Sequence, residues 1–302
     1  MDMSTTAVKK IRKSREDNIF DFFLYLIAGI IVVIMLYPMY FIIIASISDP
    51  TAVSNGELFL IPTGINFKAY KELAGYAKLW IGYRNTILYT IAGTIVVLVV
   101  NIPTAYALSR RKLYGKKIFT FFYLIPMFFS GGLIPTYITV KDLALLDTFW
   151  VMVVPFSVVT YYIIVGRTFF NNSIPEDLWE AAQIDGCGYI GFFFRVALPL
   201  SKAVIAVIAL WAAVGQWNSY FNALIYIRSD ELQPLQIILR NILISNQRIS
   251  AMATGAAAVE AKQMADLIKY AVIVVSSAPI MCLYPFVQKY FNQGVMLGSL
   301  KG

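Results

Sequence analysis

The sequence predicts an all-α, polytopic membrane protein with six transmembrane helices and both termini in the cytoplasm. Hydrophobic residues make up 59% of the 302 positions and charged residues only 14%, whereas soluble domains carry about 25% charged residues. Long apolar runs reach the roughly 20 residues that a helix needs to cross the hydrocarbon core. Lysine and arginine concentrate beside these runs, as the positive-inside rule predicts for membrane proteins.

Six apolar runs define the predicted spans. They cover residues 19–47, 84–108, 117–139, 149–170, 203–227 and 267–288. Several runs contain prolines, namely Pro38, Pro103, Pro126, Pro155 and Pro279. Because neighbouring helices can satisfy the carbonyl that a proline frees, we expect kinked helices in a bundle. The first run is too long for a signal peptide and no clear cleavage site follows it, so it is predicted as a retained span.

Basic residues set the predicted orientation. The N-terminal segment and the SRRKLYGKK loop after the second run are both rich in lysine and arginine. Two spans separate these segments, so they lie on the same side, which is the cytoplasm. The predicted organisation is a cytoplasmic segment at 1–18, one transmembrane domain at 19–290 and a cytoplasmic tail at 291–302. Residues 48–83 and 228–266 are then extracellular, and the loop at 171–202 is cytoplasmic.

The residue inventory excludes several kinds of chemistry. The chain has no histidine and only two cysteines, Cys187 and Cys282, far apart in sequence. A histidine-based triad and a histidine-containing zinc site are therefore excluded, and no metal or cofactor is predicted to bind this chain. The two cysteines are predicted to be small apolar filler. The net charge of +8 is explained by membrane topology, so no nucleic acid partner is predicted.

The cytoplasmic loop at 171–202 carries the most specific pattern. Ser173 and Pro175 precede two acids, Glu176 and Asp177, which is typical of a helix start. Glycines that end the helix are Gly186 and Gly188. A small amphipathic face is predicted from Leu178, Ala181, Ala182 and Ile184. A second helical stretch, YIGFFFRVA, runs on to a break at Pro199.

This loop resembles the signature loop of ABC importer permeases. The matching residues, at the family's spacing, are Glu180, Ala181, Ala182, Asp185, Gly186, Val196, Leu198 and Pro199. The resemblance implies the type I ABC importer permease fold and a coupling helix that docks on an ATP-binding subunit. Glu180 would pair with a basic group there, the two alanines would permit close packing, and Gly186 would turn the chain. The alternative is an ordinary amphipathic loop helix.

The resemblance extends along most of the chain. Segments such as RNTILYT, GGLIPTYITVKDLALLDTFWVMVVP and QWNSYFNALIYI are similar to the carbohydrate-uptake branch, and within it to the maltose-type G subunit and to permeases for complex oligosaccharides. That implies a bacterial cell membrane protein and a heterodimer with a second homologous permease. It also implies two ATP-binding subunits, which hold the ATP and Mg²⁺, and an extracellular solute-binding protein.

Other functions are weighed against this one. The chain lacks a phosphate-binding GxxxxGK[ST] loop, so we expect a non-catalytic subunit rather than an enzyme. An alternative function is an importer permease for a solute other than sugar. An ion-coupled secondary transporter is disfavoured, because such proteins use carboxylates or histidines inside their spans and these spans have almost none.

The fifth run contains the candidate substrate pathway. Its aromatic, amide and glycine residues are Trp211, Gly215, Trp217, Asn218, Tyr220 and Asn222. Four of them recur at helical spacing, and aromatic faces with amides suit sugar rings and hydroxyls. The alternative is packing between helices. By the same resemblance, the segment at 228–266 would enter the binding protein or pack as a surface helix, and residues 298–302 would reach the ATPase dimer or fray.

Overall fold

The computed structural model describes the backbone of residues 14–299 and the side chains of residues 14–282 except Ala256. Within that part of the chain all regular structure is helical, which confirms the predicted all-α class. The predicted cytoplasmic N-terminal segment lies mostly outside the described residues. Residues 300–302, which include the end of the predicted tail, lie outside them as well.

Three predicted spans are unbroken helices. They are α1 (Arg15–Ser46), α4 (Ala77–Ser109) and α14 (Ala256–Ser299). Each is long and apolar enough to cross a membrane: the mean hydropathy over an 18-residue window is 2.7 in α1, 2.0 in α4 and 1.5 in the described part of α14. Both α4 and α14 begin before the predicted boundaries. The described residues thus contain three such helices, or up to five if each of two bent pairs counts as one span.

The third predicted span is not one helix. It consists of α5 (Lys116–Phe128) and α6 (Leu133–Asp142), whose axes are bent by 117°. The break falls at Ser130-Gly131-Gly132. Gly132 has φ +81, a left-handed conformation that glycine adopts without steric cost, and its N–H donates to Ser130 Oγ at 3.1 Å. The glycine turn therefore interrupts the helix, although the apolar pattern of the sequence continues on both sides of it.

The fourth predicted span is also interrupted. A 3₁₀ turn at Phe149–Met152 is followed by an irregular stretch, and α7 begins only at Thr160 and ends at Ser173. The irregular backbone is satisfied from the neighbouring helix: Asn101 on α4 donates to Ser157 O at 2.7 Å and accepts from Val159 N at 2.9 Å. Irregular backbone at membrane depth requires such internal partners.

The fifth predicted span ends early and resumes. Helix α11 (Lys202–Trp217) is followed by a break at 218–220 and by α12 (Phe221–Tyr226). Asn218 is the C-cap, and its Nδ2 donates to Val214 O at 2.9 Å. Asparagine favours such local bonding at helix ends. The predicted extracellular segments contain short helices, α2 (Pro50–Ser54) and α3 (Lys68–Gly75), and the longer α13 (Leu235–Met252).

Helix α4 is central to the packing. Small residues let its neighbours approach closely: a Cβ on Gly166 of α7 would lie 2.8 Å from Ala105 Cβ, and one on Gly93 would lie 2.5 Å from Gln216 Nε2 of α11. Close contact through small residues is the usual way that helices associate in membranes.

The N-terminal half of α4 fixes the start of the segment after α12. Asn85 Nδ2 donates to Glu231 O at 2.7 Å and to Gln233 O at 3.0 Å. Tyr89 Oη donates to Leu232 O at 2.8 Å. These buried side chains hold the backbone that leads into α13, so α13 is attached to the transmembrane bundle at a defined position.

Candidate functional site

The predicted cytoplasmic loop contains a short helix, α8 (Glu176–Ile184). It follows Pro175 and carries Glu176 and Asp177 in its first turn, where carboxylates are stabilised by the helix dipole. Asp185 is the C-cap, and Gly186 follows with φ +76. The helix and its glycine end agree with the sequence prediction.

Trp179 anchors α8 to the rest of the chain. Its side chain is 3% exposed, its ring stacks on Tyr189 with centroids 4.4 Å apart, and it meets Phe192 edge-on at 5.2 Å. The face of α8 that is buried within this chain centres on Trp179 and includes Ala182, whereas Leu178, Ala181 and Ile184 of the predicted face are exposed. The signal that could have revealed it is that Trp179 is the one aromatic residue of α8.

The opposite face of α8 is free of contacts that would bury it. Glu180, Ala181 and Asp185 are exposed, and Ile184 is 88% exposed. An alanine beside carboxylates and one apolar side chain forms a small convex surface. Such a surface suits close approach by another protein that presents basic groups.

The remaining motif residues lie at the root of the loop. Helix α9 (Tyr189–Phe192) continues as a π-helical turn, Phe193–Ala197, and then α10 (Leu198–Leu200). Leu198 and Val196 pack partly against the core cluster, and Pro199 is exposed. The chain then turns by 79° into α11. A π-helical turn frequently marks a functional site.

An aromatic contact joins this root to α4. Phe193 lies 4.9 Å from the Tyr106 ring, and Phe170 of α7 meets the same ring at 5.5 Å. The Arg110 guanidinium lies over Tyr106 at 4.8 Å. The loop, α4 and α7 therefore share one close-packed cluster.

A polar cavity of about 160 Å³ lies beside α11. It forms where α4, α7, α11 and α12 meet the two interrupted stretches. Its lining combines apolar residues with hydroxyl, amide and glycine positions: Val97, Phe156, Val159, Tyr162, Ala212, Gly215, Gln216, Ser219 and Asn222. The lining thus combines apolar and aromatic surface with a few hydrogen-bonding groups, as the walls of ligand pockets do.

The structure separates the predicted pathway residues. Gly215 and Asn222 line the cavity, and Trp211 stacks on the lining residue Tyr162 at 5.9 Å. Asn218 is exposed at the break. Trp217 is 5% exposed and its Nε1 donates to Ser276 O at 2.9 Å, so it packs between α11 and α14. The stripe is not continuous, because the helix ends before Asn218.

Other cavity residues were not among the predicted pathway residues. Gln216 Nε2 donates to Met152 O at 3.2 Å, which ties α11 to the 3₁₀ turn. Tyr162 and Ser219 come from a neighbouring helix and from the break. Sequence spacing along one helix cannot find residues that tertiary structure supplies from other elements.

No group of three histidine, cysteine, aspartate or glutamate residues that could hold a metal ion occurs among the described residues. Both cysteines are free; Cys187 is partly buried and Cys282 is exposed.

Residues 79–297 match the protein family described as the binding-protein-dependent transport system inner membrane component. This chain belongs to that family. As a family member it is a membrane permease of the ABC importer class, and the ion-coupled alternative is not favoured. The all-helical fold is that of the importer permeases, as the sequence resemblance predicted.

Two curated relatives from Bacillus subtilis (strain 168) are each 36% identical to this permease. Protein LplC aligns over 98% of this chain and 99% of its own length. The polygalacturonan/rhamnogalacturonan transport system permease protein YtcP aligns over 95% and 100%. The maltodextrin transport system permease protein MdxG of the same organism is 26% identical over 92% of this chain.

A solved structure shares the fold. It is described as the crystal structure of a bacterial ABC transporter involved in the import of the acidic polysaccharide alginate. One of its chains superimposes with a TM-score of 0.81 at 34% identity, covering 93% of the permease described here and 99% of that chain.

Proposed function

We propose that this permease is the transmembrane subunit of an ATP-driven importer for carbohydrate, taken up as oligosaccharides or polysaccharide fragments. The observation that carries the proposal is the exposed face of α8, held in place from behind by buried Trp179. The substrate class is supported by the printed functions of the relatives and by the mixed lining of the polar cavity.

Coupling to ATP hydrolysis is assigned to α8. Glu180 and Asp185 offer carboxylates for a basic group on an ATP-binding subunit, and Ala181 leaves room for close contact. Ala182 and Gly186 shape the helix and its exit, while Leu198 and Pro199 form the turn into α11. Two ATP-binding subunits would bind the ATP and Mg²⁺, and this chain would not be an enzyme.

The remaining partners are a second homologous permease and an extracellular solute-binding protein. Large apolar side chains along α1 are exposed, and none of its most apolar window is buried in this chain. Lipid and the second permease are the surroundings that such a helix requires. Met252 at the end of α13 and Val259 in the first turn of α14 are exposed, which suits contact with the binding protein.

The membrane arrangement proposed here has six crossings. Three crossings are the unbroken helices α1, α4 and α14. The other three are the interrupted runs: α5 with α6, the 3₁₀ turn with α7, and α11 with α12. Both termini are placed in the cytoplasm by the lysine and arginine distribution. Interrupted helices commonly form the substrate sites of transporters near mid-membrane. The polar cavity lies at two of these interruptions, so we assign it to the translocation pathway.

Charge reversal on α8 tests the proposal. We expect Glu180→Lys to abolish co-purification with the ATP-binding subunit and ATP-dependent sugar uptake together, because it turns an attractive contact into a repulsive one. Both are measured on the complete transporter, by affinity capture in detergent and by uptake of labelled oligosaccharide into proteoliposomes.

A matched control is Glu260→Lys, which makes the same charge change on the exposed start of α14. It should leave capture of the ATP-binding subunit unchanged. Retained capture and retained uptake in Glu180→Lys would refute the coupling role of α8. If the wild-type transporter takes up none of the neutral and acidic oligosaccharides, the carbohydrate assignment is refuted.

A further inference from the structure

A buried arginine at the C-terminal end of α4 has a donor without an acceptor. Arg110, the C-cap of α4, is 7% exposed. Its Nε donates to Ser109 Oγ at 3.1 Å, and its guanidinium lies over the Tyr106 ring. Its Nη1 is closed off from solvent and has no hydrogen-bond partner among the described residues, and the same is true of the Tyr106 hydroxyl. Because a buried charge without a partner is costly, we expect Arg110 to have a partner in some state of the protein.

Burial separates Arg110 from the neighbouring cations of the same loop. Arg111 is exposed, so water solvates its charge. Lys116 is partly buried, and its Nζ donates to Ser109 O at 3.1 Å and to Arg110 O at 3.3 Å. Among the described residues, no carboxylate oxygen lies within 4.0 Å of the Arg110 nitrogens. Arginine is seldom buried unless it is paired.

Glu176 supplies a carboxylate in the same region. It lies in the first turn of α8 and is partly buried. Its charge acts on the Tyr106 hydroxyl and on the Lys116 ammonium, as the charge of Arg110 does. Glu176 also forms no ion pair with a described residue. A buried, unpaired cation on α4 and an unpaired carboxylate on α8 therefore lie near the same two groups without touching each other.

The joint between the loop and α4 is made of aromatic rings. Trp179 of α8 packs on Tyr189 and Phe192, and Phe193 packs on Tyr106. Rings pack favourably both stacked and edge-on, whereas a guanidinium fork binds a carboxylate in one planar geometry. A conformational change requires contacts that differ between the two states. An ion pair that is open in this arrangement and closed after a shift of α8 is such a contact.

We propose that Arg110 is a positioning residue for the coupling helix: it pairs with Glu176 in a second position of α8 and fixes that position during the transport cycle. The inference rests on the proposed coupling role of α8 and deepens it. The pair gives the loop one position held by ring packing alone and another held by a charge-assisted hydrogen bond as well.

Removal of the charge is the first test. Arg110→Met keeps an unbranched side chain over Tyr106 and removes the guanidinium. We expect ATP-dependent oligosaccharide uptake by the complete transporter in proteoliposomes to fall about tenfold, which lies in the usual range of coupling between sites. Capture of the ATP-binding subunit should persist. The melting temperature in detergent should not fall, because the arrangement described here contains no ion pair to lose. Arg111→Met is the matched control and should keep wild-type uptake.

Exchange of the two charges is the second test. Arg110→Glu and Glu176→Arg should each lower uptake at least about tenfold. The double variant should return uptake to within about threefold of the wild type, because it restores an attractive pair. Arg110→Glu combined with Asp177→Arg is the matched control. Asp177 is the exposed neighbour of Glu176 on α8, so this combination should restore nothing.

The outcomes separate this inference from the proposed function. Wild-type uptake in Arg110→Met would overturn the pair, and so would a charge exchange that transports no better than its single variants. A fall in melting temperature together with uptake, without recovery in the exchange, would give Arg110 a purely structural role. If Glu180→Lys loses capture and uptake while Arg110→Met keeps both, only this inference fails. If Glu180→Lys keeps both, the coupling role of α8 fails as well.

Discussion

Asn101 on α4 accepts a hydrogen bond from the backbone N–H of Val159 at 2.9 Å, across 58 residues of sequence. The same side chain donates to Ser157 O at 2.7 Å and to Val97 O at 2.6 Å, and it is fully buried. One asparagine thus satisfies the backbone of the interruption before α7. That interruption presents Phe156 and Val159 to the polar cavity.

Removal of this side chain should destabilise the permease. We expect Asn101→Ala to lower the free energy of unfolding by about 3 kcal/mol, because a buried N–H and a buried carbonyl lose their partner. Thermal unfolding in detergent measures the effect. Asn246→Ala is the control, since Asn246 makes only an intrahelical bond to Ile242 O at 2.9 Å. An unchanged melting temperature for Asn101→Ala would contradict this role.

The contact between α4 and α7 should tolerate no added methyl group. In Gly166→Ala the new Cβ would lie 2.8 Å from Ala105 Cβ, and overpacking of this kind costs about 1–3 kcal/mol. The double variant Ala105→Gly with Gly166→Ala should recover much of the loss. Gly215→Ala is the control because its Cβ meets open space. The prediction fails if the single variant melts at the wild-type temperature.

Loss of the anchor of α8 should uncouple the permease while leaving the exposed coupling residues chemically intact. We expect Trp179→Ala to weaken packing of the loop by about 3–5 kcal/mol and to reduce capture of the ATP-binding subunit. Limited proteolysis within residues 171–202 should become faster. Trp80→Ala, at a side chain that is 60% exposed, is the matched control. Equal proteolysis rates for the two variants would argue against the anchor.

A substitution that fills the cavity should block transport without harming the fold. A side chain at Gly215 meets no neighbouring atom within 4 Å of its Cβ, so Gly215→Leu would occupy the cavity rather than strain the helix. We expect uptake of oligosaccharide to fall at least about tenfold while the melting temperature changes little. The steric reason is that a leucine side chain takes a large share of about 160 Å³. If the Gly215→Leu variant takes up oligosaccharide at the wild-type rate, this cavity is not part of the pathway.

Asp147 should make the loop before the 3₁₀ turn sensitive to acid. Hydrogen bonds from the Ser229 hydroxyl, the Ser229 N–H and the Arg228 N–H hold the pKa of the Asp147 carboxyl below its ordinary value. Because the folded pKa is the lower one, the stabilisation is present above the unfolded pKa of about 4 and is lost as the pH falls through the folded pKa.

The melting temperature of the wild type should therefore fall more steeply below about pH 4 than that of Asp147→Asn. At neutral pH the variant should melt lower, since it loses the charge on three hydrogen bonds. Asp142→Asn, at an exposed position nearby, should follow the wild-type pH profile. Parallel profiles for wild type and Asp147→Asn would contradict the assignment.

The helical membrane class, the family and the position of α8 could all be predicted from the sequence. Each depends on information that is local in the chain. Hydropathy over about 20 residues reports solvent preference, and the spacing from Glu180 to Pro199 reports one loop. The start and end of α8 followed from Pro175 and Gly186, because helix caps are built from neighbouring residues.

The breaks in the apolar runs, and the contacts between distant residues, could not be predicted from local sequence. The interruption before α7 is satisfied by Asn101 from another helix, and a hydropathy window cannot register a partner 56 residues away. Contacts made by three other side chains could not be predicted from hydropathy either. Trp179 is buried by aromatic rings of its own loop, and Trp217 packs toward α14. Arg240 lies over the ring of Tyr220. Backbone polar groups at membrane depth need partners inside the protein, and those partners are chosen by folding.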